Sequence, residues 1–169
     1  MIIKSKSIKD QKGIKRTIQY VFREDKSASL LYSRFLPLEV ELEDIITRME
    51  QNESKRIRRR KDSTILLHDI ISFHKWDSHK LQENDFLRKI ARKYSLLREQ
   101  SITLCVLHRE QDHIHIHVIA SGCRLDGRSA RVSKAQFQQK KVELEQFQQR
   151  ELRLVHSRVN HEKKRLDSS

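Results

Sequence analysis

His108-Arg109-Glu110-Gln111-Asp112-His113-Ile114-His115-Ile116-His117-Val118-Ile119 is the stretch on which the fold turns. Side chains alternate between faces along a strand. His113, His115 and His117 therefore share one face, while Ile114, Ile116 and Val118 line the other, the core face. Ser101 to His108 reads as a preceding strand, and Arg109 to Asp112 as a polar four-residue turn. In such a hairpin His108 stands directly opposite His113 and diagonally across from His115, on the same face. Four imidazoles then gather on one patch of antiparallel sheet. Burying them bare would leave ring nitrogens unpaired, which is costly. A divalent metal satisfies them, and three neutral imidazoles with open positions form a site that can polarise a phosphoryl oxygen. The simpler alternative is a surface strand whose histidines face water; three alternating histidines with a fourth across the turn favour the metal. Imidazole accepts Mn²⁺, Zn²⁺ or Ni²⁺ well and Mg²⁺ poorly. Use of Mg²⁺ would depend on substrate phosphate completing the shell. The expected ion is Mn²⁺ or Mg²⁺, with Zn²⁺ or Ni²⁺ as alternatives.

Outward from this hairpin, helical and strand patterns interleave. Ile2-Ile3 starts a short strand, and Lys12 to Arg23 has helical spacing at Ile14, Ile18, Val21 and Phe22, with Tyr20 near its end. Ser27 to Phe35 fits neither period. A second helix runs from Leu38 into the fifties on Leu42, Ile45, Ile46 and Met49. It leads into Lys55-Arg56-Ile57-Arg58-Arg59-Arg60-Lys61, six cations in seven positions, which is either a solvated helix end or a set of phosphate contacts. Thr64 to Phe73 reads as a buried strand, and Leu81 to Leu97 as a helix on Phe86, Leu87, Ile90, Tyr94 and Leu97. Ser121-Gly122 and Asp126-Gly127 supply turn chemistry. A Gln-rich helix runs from its N-cap Ser133 to about Leu152. The expected fold is α+β: a central, mainly antiparallel sheet flanked by helices, one domain over residues 1–160, with a charged, frayed tail at 161–169.

Composition narrows the partners. The chain has 169 residues, enough for one core, with 36% hydrophobic and 35% charged residues. A net charge of +13 suits a polyanion, because each neutralised phosphate releases counterions. Cys105 and Cys123 lie too far apart in sequence for a thiolate metal motif, and reduced cytosolic thiols are the default. No apolar run approaches the roughly 20 residues that a membrane span needs, and the start of the chain lacks a signal-peptide core. The expectation is a cytoplasmic bacterial protein without membrane insertion.

His108 to Ala120 resembles the third motif of mobilisation-type (MobA/MobL-like) conjugative relaxases of the HUH endonuclease superfamily. The resemblance implies that His115 and His117 are a His-hydrophobe-His metal pair, His108 is the third ligand and His113 is an accessory. Where the family usually has Asp two residues after the upstream His, this chain has Glu110, a longer carboxylate that could orient a ligand imidazole. Ile70-Ile71-Ser72-Phe73-His74 resembles the second motif, which implies DNA contacts from Ser72 and His74. Tyr20-Val21-Phe22-Arg23 resembles the first motif, which carries the nucleophilic tyrosine. The likeness spans about residues 1–155. It implies nicking of single-stranded DNA at an origin of transfer, through a 5′-phosphotyrosyl link that is later rejoined. It also implies accessory DNA-binding proteins, a secretion or coupling partner, and export covalently bound to the strand.

Tyrosine order separates relatives. In rolling-circle initiators and single-strand transposases of the superfamily the nucleophile follows the histidine motif; here Tyr20, Tyr32 and Tyr94 all precede it. Tyr94 shares helical spacing with core residues. Tyr32 lies among Leu30, Leu31, Phe35 and Leu36, as a packing residue or a contact to a base. Tyr20 has Lys15 and Arg16 one turn earlier and Arg23 three residues later, cations that would hold a phosphate, so it is the expected nucleophile. Two other classes compete. A metal hydrolase for small substrates gains nothing from the charge, and a non-catalytic DNA-binding module does not need converging imidazoles.

Overall fold

The structure is a computed structural model, and it describes residues 1–23, 28–37, 39–110 and 113–159. Its elements are β1 (Ile2–Ile8), α1 (Lys12–Val21), β2 (Ala28–Arg34), α2 (Leu42–Ser54) and β3 (Leu66–Ser72). A 3-10 helix at Lys75–Lys80 leads to α3 (Asn84–Ser95), β4 (Thr103–Glu110), β5 (His113–Ser121) and α4 (Lys134–Glu151). The strands form one sheet in the order β1-β3-β5-β4-β2, every neighbouring pair antiparallel. The α+β architecture expected from the sequence is the one observed.

Both faces of the sheet are covered. Ile71, Cys105, Leu107, Ile114, Ile116 and Val118 pack with Leu87, Ile90 and Tyr94 of α3 and Leu144 and Phe147 of α4. On the other face, Leu66, Leu104, Val106 and Ile119 meet Ile14, Ile18 and Val21 of α1 and Ile45, Ile46 and Met49 of α2. Full burial of an aliphatic side chain is worth about 1.5–3 kcal/mol, so three such residues hold the ten-residue α1 firmly. α4 begins with a capping box: Ser133 Oγ accepts from Gln136 N and the Gln136 side chain accepts from Ser133 N. At the turn marked by Asp126-Gly127, Gly127 takes a φ of 84°, a conformation glycine adopts without steric cost.

Three expectations are revised. The β4–β5 turn is shorter than four residues: Arg109 and Glu110 join the ladder, and only residues 111–112, outside the described residues, separate the strands. His108 therefore pairs with His115 and Glu110 with His113. Polar side chains do not stop a ladder, because its hydrogen bonds are made by backbone groups. The first strand is longer than Ile2-Ile3 suggested, since exposed Lys4, Ser5, Lys6 and Ser7 pair with β3 throughout. The segment after Ser27 resolves as an edge strand whose register shifts between Leu30 and Tyr32. That bulge spoils the period of two in the sequence. Leu38, where the second helix was expected to start, and residues 160–169 fall outside the described residues.

Candidate active site

The histidines lie on the α1/α2 face of the three inner strands. In β5, the buried Ile114 and Ile116 point to the opposite core, so His113, His115 and His117 point to this one. His108 of β4 lies diagonally across from His117, with ring centroids 4.2 Å apart. Each of the three expected ligands has one nitrogen held by an outer partner. The His108 Nε2–H donates to the Val21 carbonyl at 2.7 Å. His115 Nδ1 is 3.0 Å from Ser72 Oγ, and His117 Nδ1 is 2.9 Å from His68 Nε2. A carbonyl only accepts, so Nε2 of His108 carries the hydrogen of this bond and Nδ1 is the nitrogen left to face the cluster. Burial, reinforced by the neighbouring imidazoles of His108 and His68, pushes the pKa of His117 down to about 3. Burial likewise lowers those of His68 and His115. Rings with depressed pKa values are neutral at physiological pH, the state in which imidazole binds a metal. Among the described residues, no three His, Cys, Asp or Glu side chains are placed close enough together to hold an ion. The donor chemistry nonetheless fits one: three imidazoles, each oriented through its second nitrogen.

His68 was missed by the sequence reading. It lies on β3, two and four residues before Ile70 and Ser72, and so on the face that Ser72 presents to His115. Strand alternation puts it on the face of Ser72, but only the pairing of β3 with β5 brings it to His117.

Helix α1 carries Tyr20 to the cluster. Ile14, Ile18 and Val21 face the core, which turns Lys15, Arg16 and Tyr20 outward. The Tyr20 ring is 51% exposed and lies 6.5 Å from the His68 ring, edge to face. Arg23 stands 5.4 Å from the tyrosine's ring centre. Both residues line a cleft of about 1090 Å³ between α1 and strands β1 and β3, together with Lys4, Lys6, Lys12 and Lys15. Tyr20 and His68 both line this basic cleft.

A family model described as "Relaxase: MobA/VirD2-like, nuclease domain" matches residues 20–152. The chain belongs to this relaxase family. No match is found among curated proteins or among solved structures. Membership makes the chain a DNA-nicking relaxase that acts on single-stranded DNA, in a family that generally uses a divalent metal. The matched span starts at Tyr20 and includes His68, Ser72, His108, His115 and His117. No helix among the described residues is long and apolar enough to cross a membrane.

The remaining expected residues of the relaxase separate into groups. His113 is exposed, its ring parallel to that of His115 at 6.0 Å, and Glu110 is exposed across the ladder from it. His74 is exposed at the start of the 3-10 helix, where its Nδ1 accepts from Trp76 N. The basic run does not act as a unit. Arg56, in the wall of a second cleft, is tied to the protein: its side chain is 2% exposed and grips Glu53 through Nε and Nη2 at 2.7 and 2.9 Å. It also donates to the Thr64 carbonyl and to Ser129 Oγ. Arg58 and Arg60 line the same second cleft, of about 790 Å³, which shares no residue with the first. Arg59 reaches Gln11, at the rim of the first cleft, at 2.8 Å, while Lys55 and Lys61 are exposed. Tyr94 is core, as its helical spacing implied: it is 1% exposed and its hydroxyl donates to Asp69, which Arg98 also contacts at 3.0 Å. Tyr32 packs against the α3/α4 core, on the other side of the sheet from the histidines.

Proposed function

We propose that this relaxase nicks one strand at an origin of transfer, with Tyr20 as nucleophile and His108, His115 and His117 as metal ligands. One observation carries the reading: the exposed Tyr20 ring lies edge to face with His68, which is hydrogen-bonded to His117, and both Tyr20 and His68 line a basic cleft. The cleft cations Lys4, Lys6, Lys12, Lys15 and Arg23 hold the single-stranded backbone, and Ser72 and His74 contact the strand beyond the histidines. A divalent ion, Mn²⁺ or Mg²⁺, supplies positive charge to a non-bridging oxygen of the scissile phosphate when bound. Tyr20 Oη then forms a bond to phosphorus as the bond from phosphorus to the 3′ oxygen breaks. The phenol gives up its proton, the departing 3′ oxygen takes one up, and a 5′-phosphotyrosyl link remains. The bond energy is conserved in that link, so reversal rejoins the strand. In conjugative mobilisation, accessory DNA-binding proteins and a coupling protein would present the covalent complex for export from the cytoplasm.

The experiment is a denaturation-resistant adduct with a single-stranded oligonucleotide carrying the nick sequence. Tyr20→Phe removes one oxygen and keeps the ring, so binding persists and the adduct is lost. If Tyr20→Phe still forms it and Tyr32→Phe does not, the roles must be exchanged. His115→Ala/His117→Ala loses bound manganese but keeps the fold, because Ile114 and Ile116 still fill the opposite core. Equal metal content in that variant and wild type sinks the ligand assignment.

A further inference from the structure

Trp76 is 61% exposed on the 3-10 helix that follows β3. Its ring does not stand alone. His74 lies edge to face with it at 5.0 Å, and His156, from the segment after α4, lies edge to face at 5.1 Å. His74 and His156 are themselves 5.7 Å apart. Two stretches distant in sequence therefore build one aromatic surface, and buried bonds lock them together. The Asp77 carboxylate accepts from both the N–H and the hydroxyl of Ser157, each at 2.6 Å. Ser157 Oγ in turn accepts from His74 N at 2.9 Å. Asp77 and Ser157 are 1% and 3% exposed, so the anchor is dry while the rings it carries face solvent.

Of this surface only His74 has a part in the reading above, as a contact to the strand; Trp76 and His156 have none. Preorganised, exposed rings flanked by cations are what a single-stranded nucleic acid needs, since every base offers a π-face. Exposed Lys75 and Lys80 on one stretch, and Arg153 and Arg158 on the other, supply the cations. The surface also lies close to the histidines. Ser72, which touches His115, is four residues before Trp76, at most about 14 Å along the chain. That is about four nucleotides of stacked strand at 3.4 Å each.

We infer that Trp76, with His74 and His156, is a stacking platform for an unpaired base of the bound strand, within a few nucleotides of the scissile phosphate. This rests on the relaxase reading for its substrate. It assigns the platform a task separate from the cleft: the cleft holds phosphates and the platform holds a base.

Trp76 is the only tryptophan in the chain, so its emission reports on this surface alone. A single-stranded oligonucleotide quenches the emission in step with binding followed by the anisotropy of a dye-labelled strand. A strand abasic throughout binds through its phosphates but leaves the emission unchanged. Trp76→Ala weakens binding of the normal strand about 5- to 150-fold, the range for loss of one stacked base. It leaves the salt dependence as it was, and Trp76→Phe restores most of the affinity. Binding by anisotropy with unquenched Trp76, or equal affinity of Trp76→Ala and wild type, overturns the platform. A protein that binds and quenches but forms no adduct upholds the platform and refutes the nicking reading.

Discussion

Arg56→Met separates a structural cation from those proposed to contact DNA. The Arg56 and Glu53 side chains are 2% and 1% exposed, and four hydrogen bonds fasten the guanidinium to Glu53, Thr64 and Ser129. The bonds to Glu53 also raise the Arg56 pKa above its usual value, so the guanidinium remains charged. Methionine fills much of the volume but leaves the Glu53 carboxylate buried and uncompensated. Breaking a buried pair in this way costs about 3–5 kcal/mol. In a domain of this size each kcal/mol moves Tm by about 2–4 °C, so a fall of roughly 6–20 °C is expected in thermal denaturation followed by circular dichroism. Glu53→Leu/Arg56→Met removes both charges and recovers much of the loss. The salt dependence of DNA binding should be the same in folded Arg56→Met as in wild type. A variant that melts within about 2 °C of wild type, yet flattens the log–log salt slope by the roughly 0.7 of one single-strand phosphate contact, refutes this account of Arg56.

Lys6→Gln/Lys12→Gln/Lys15→Gln removes three cations that line the first cleft. Its salt slope should flatten by about 2, from three contacts of about 0.7 each; an unchanged slope moves the strand elsewhere. Tyr94→Phe takes a donor from buried Asp69 and should cost about 1–3 kcal/mol in urea denaturation. It should form the covalent adduct as wild type does, and loss of the adduct would place Tyr94 in the chemistry.

Where the sequence spoke clearly, the information was local. Alternation along His113 to Val118 placed three histidines on one face, and the spacing of Ile14, Ile18 and Val21 turned Tyr20 outward. What escaped depended on pairing between distant segments. His68 joins the cluster because β3 lies beside β5, and no local pattern states that order. The basic cleft is assembled from Lys4 and Lys6 at strand spacing and Lys12 and Lys15 at helical spacing. Scattered cations of that kind attract less notice than the contiguous run at 55–61, of which Arg56 turned inward to a buried carboxylate. The hairpin register was misjudged because polarity is a property of side chains, while the ladder is made by backbone.

The placement of α1 bears on how a covalent complex would respond to mechanical load. A strand attached at Tyr20 and drawn away pulls on α1, which is joined through residues 9–11 to β1 and through residues 22–27 to β2. These are the two outermost strands, each hydrogen-bonded to a single neighbour. Traction on the DNA therefore reaches the two edge ladders along the chain and, through the bond from His108 to the Val21 carbonyl, the metal-ligand candidate of β4 as well.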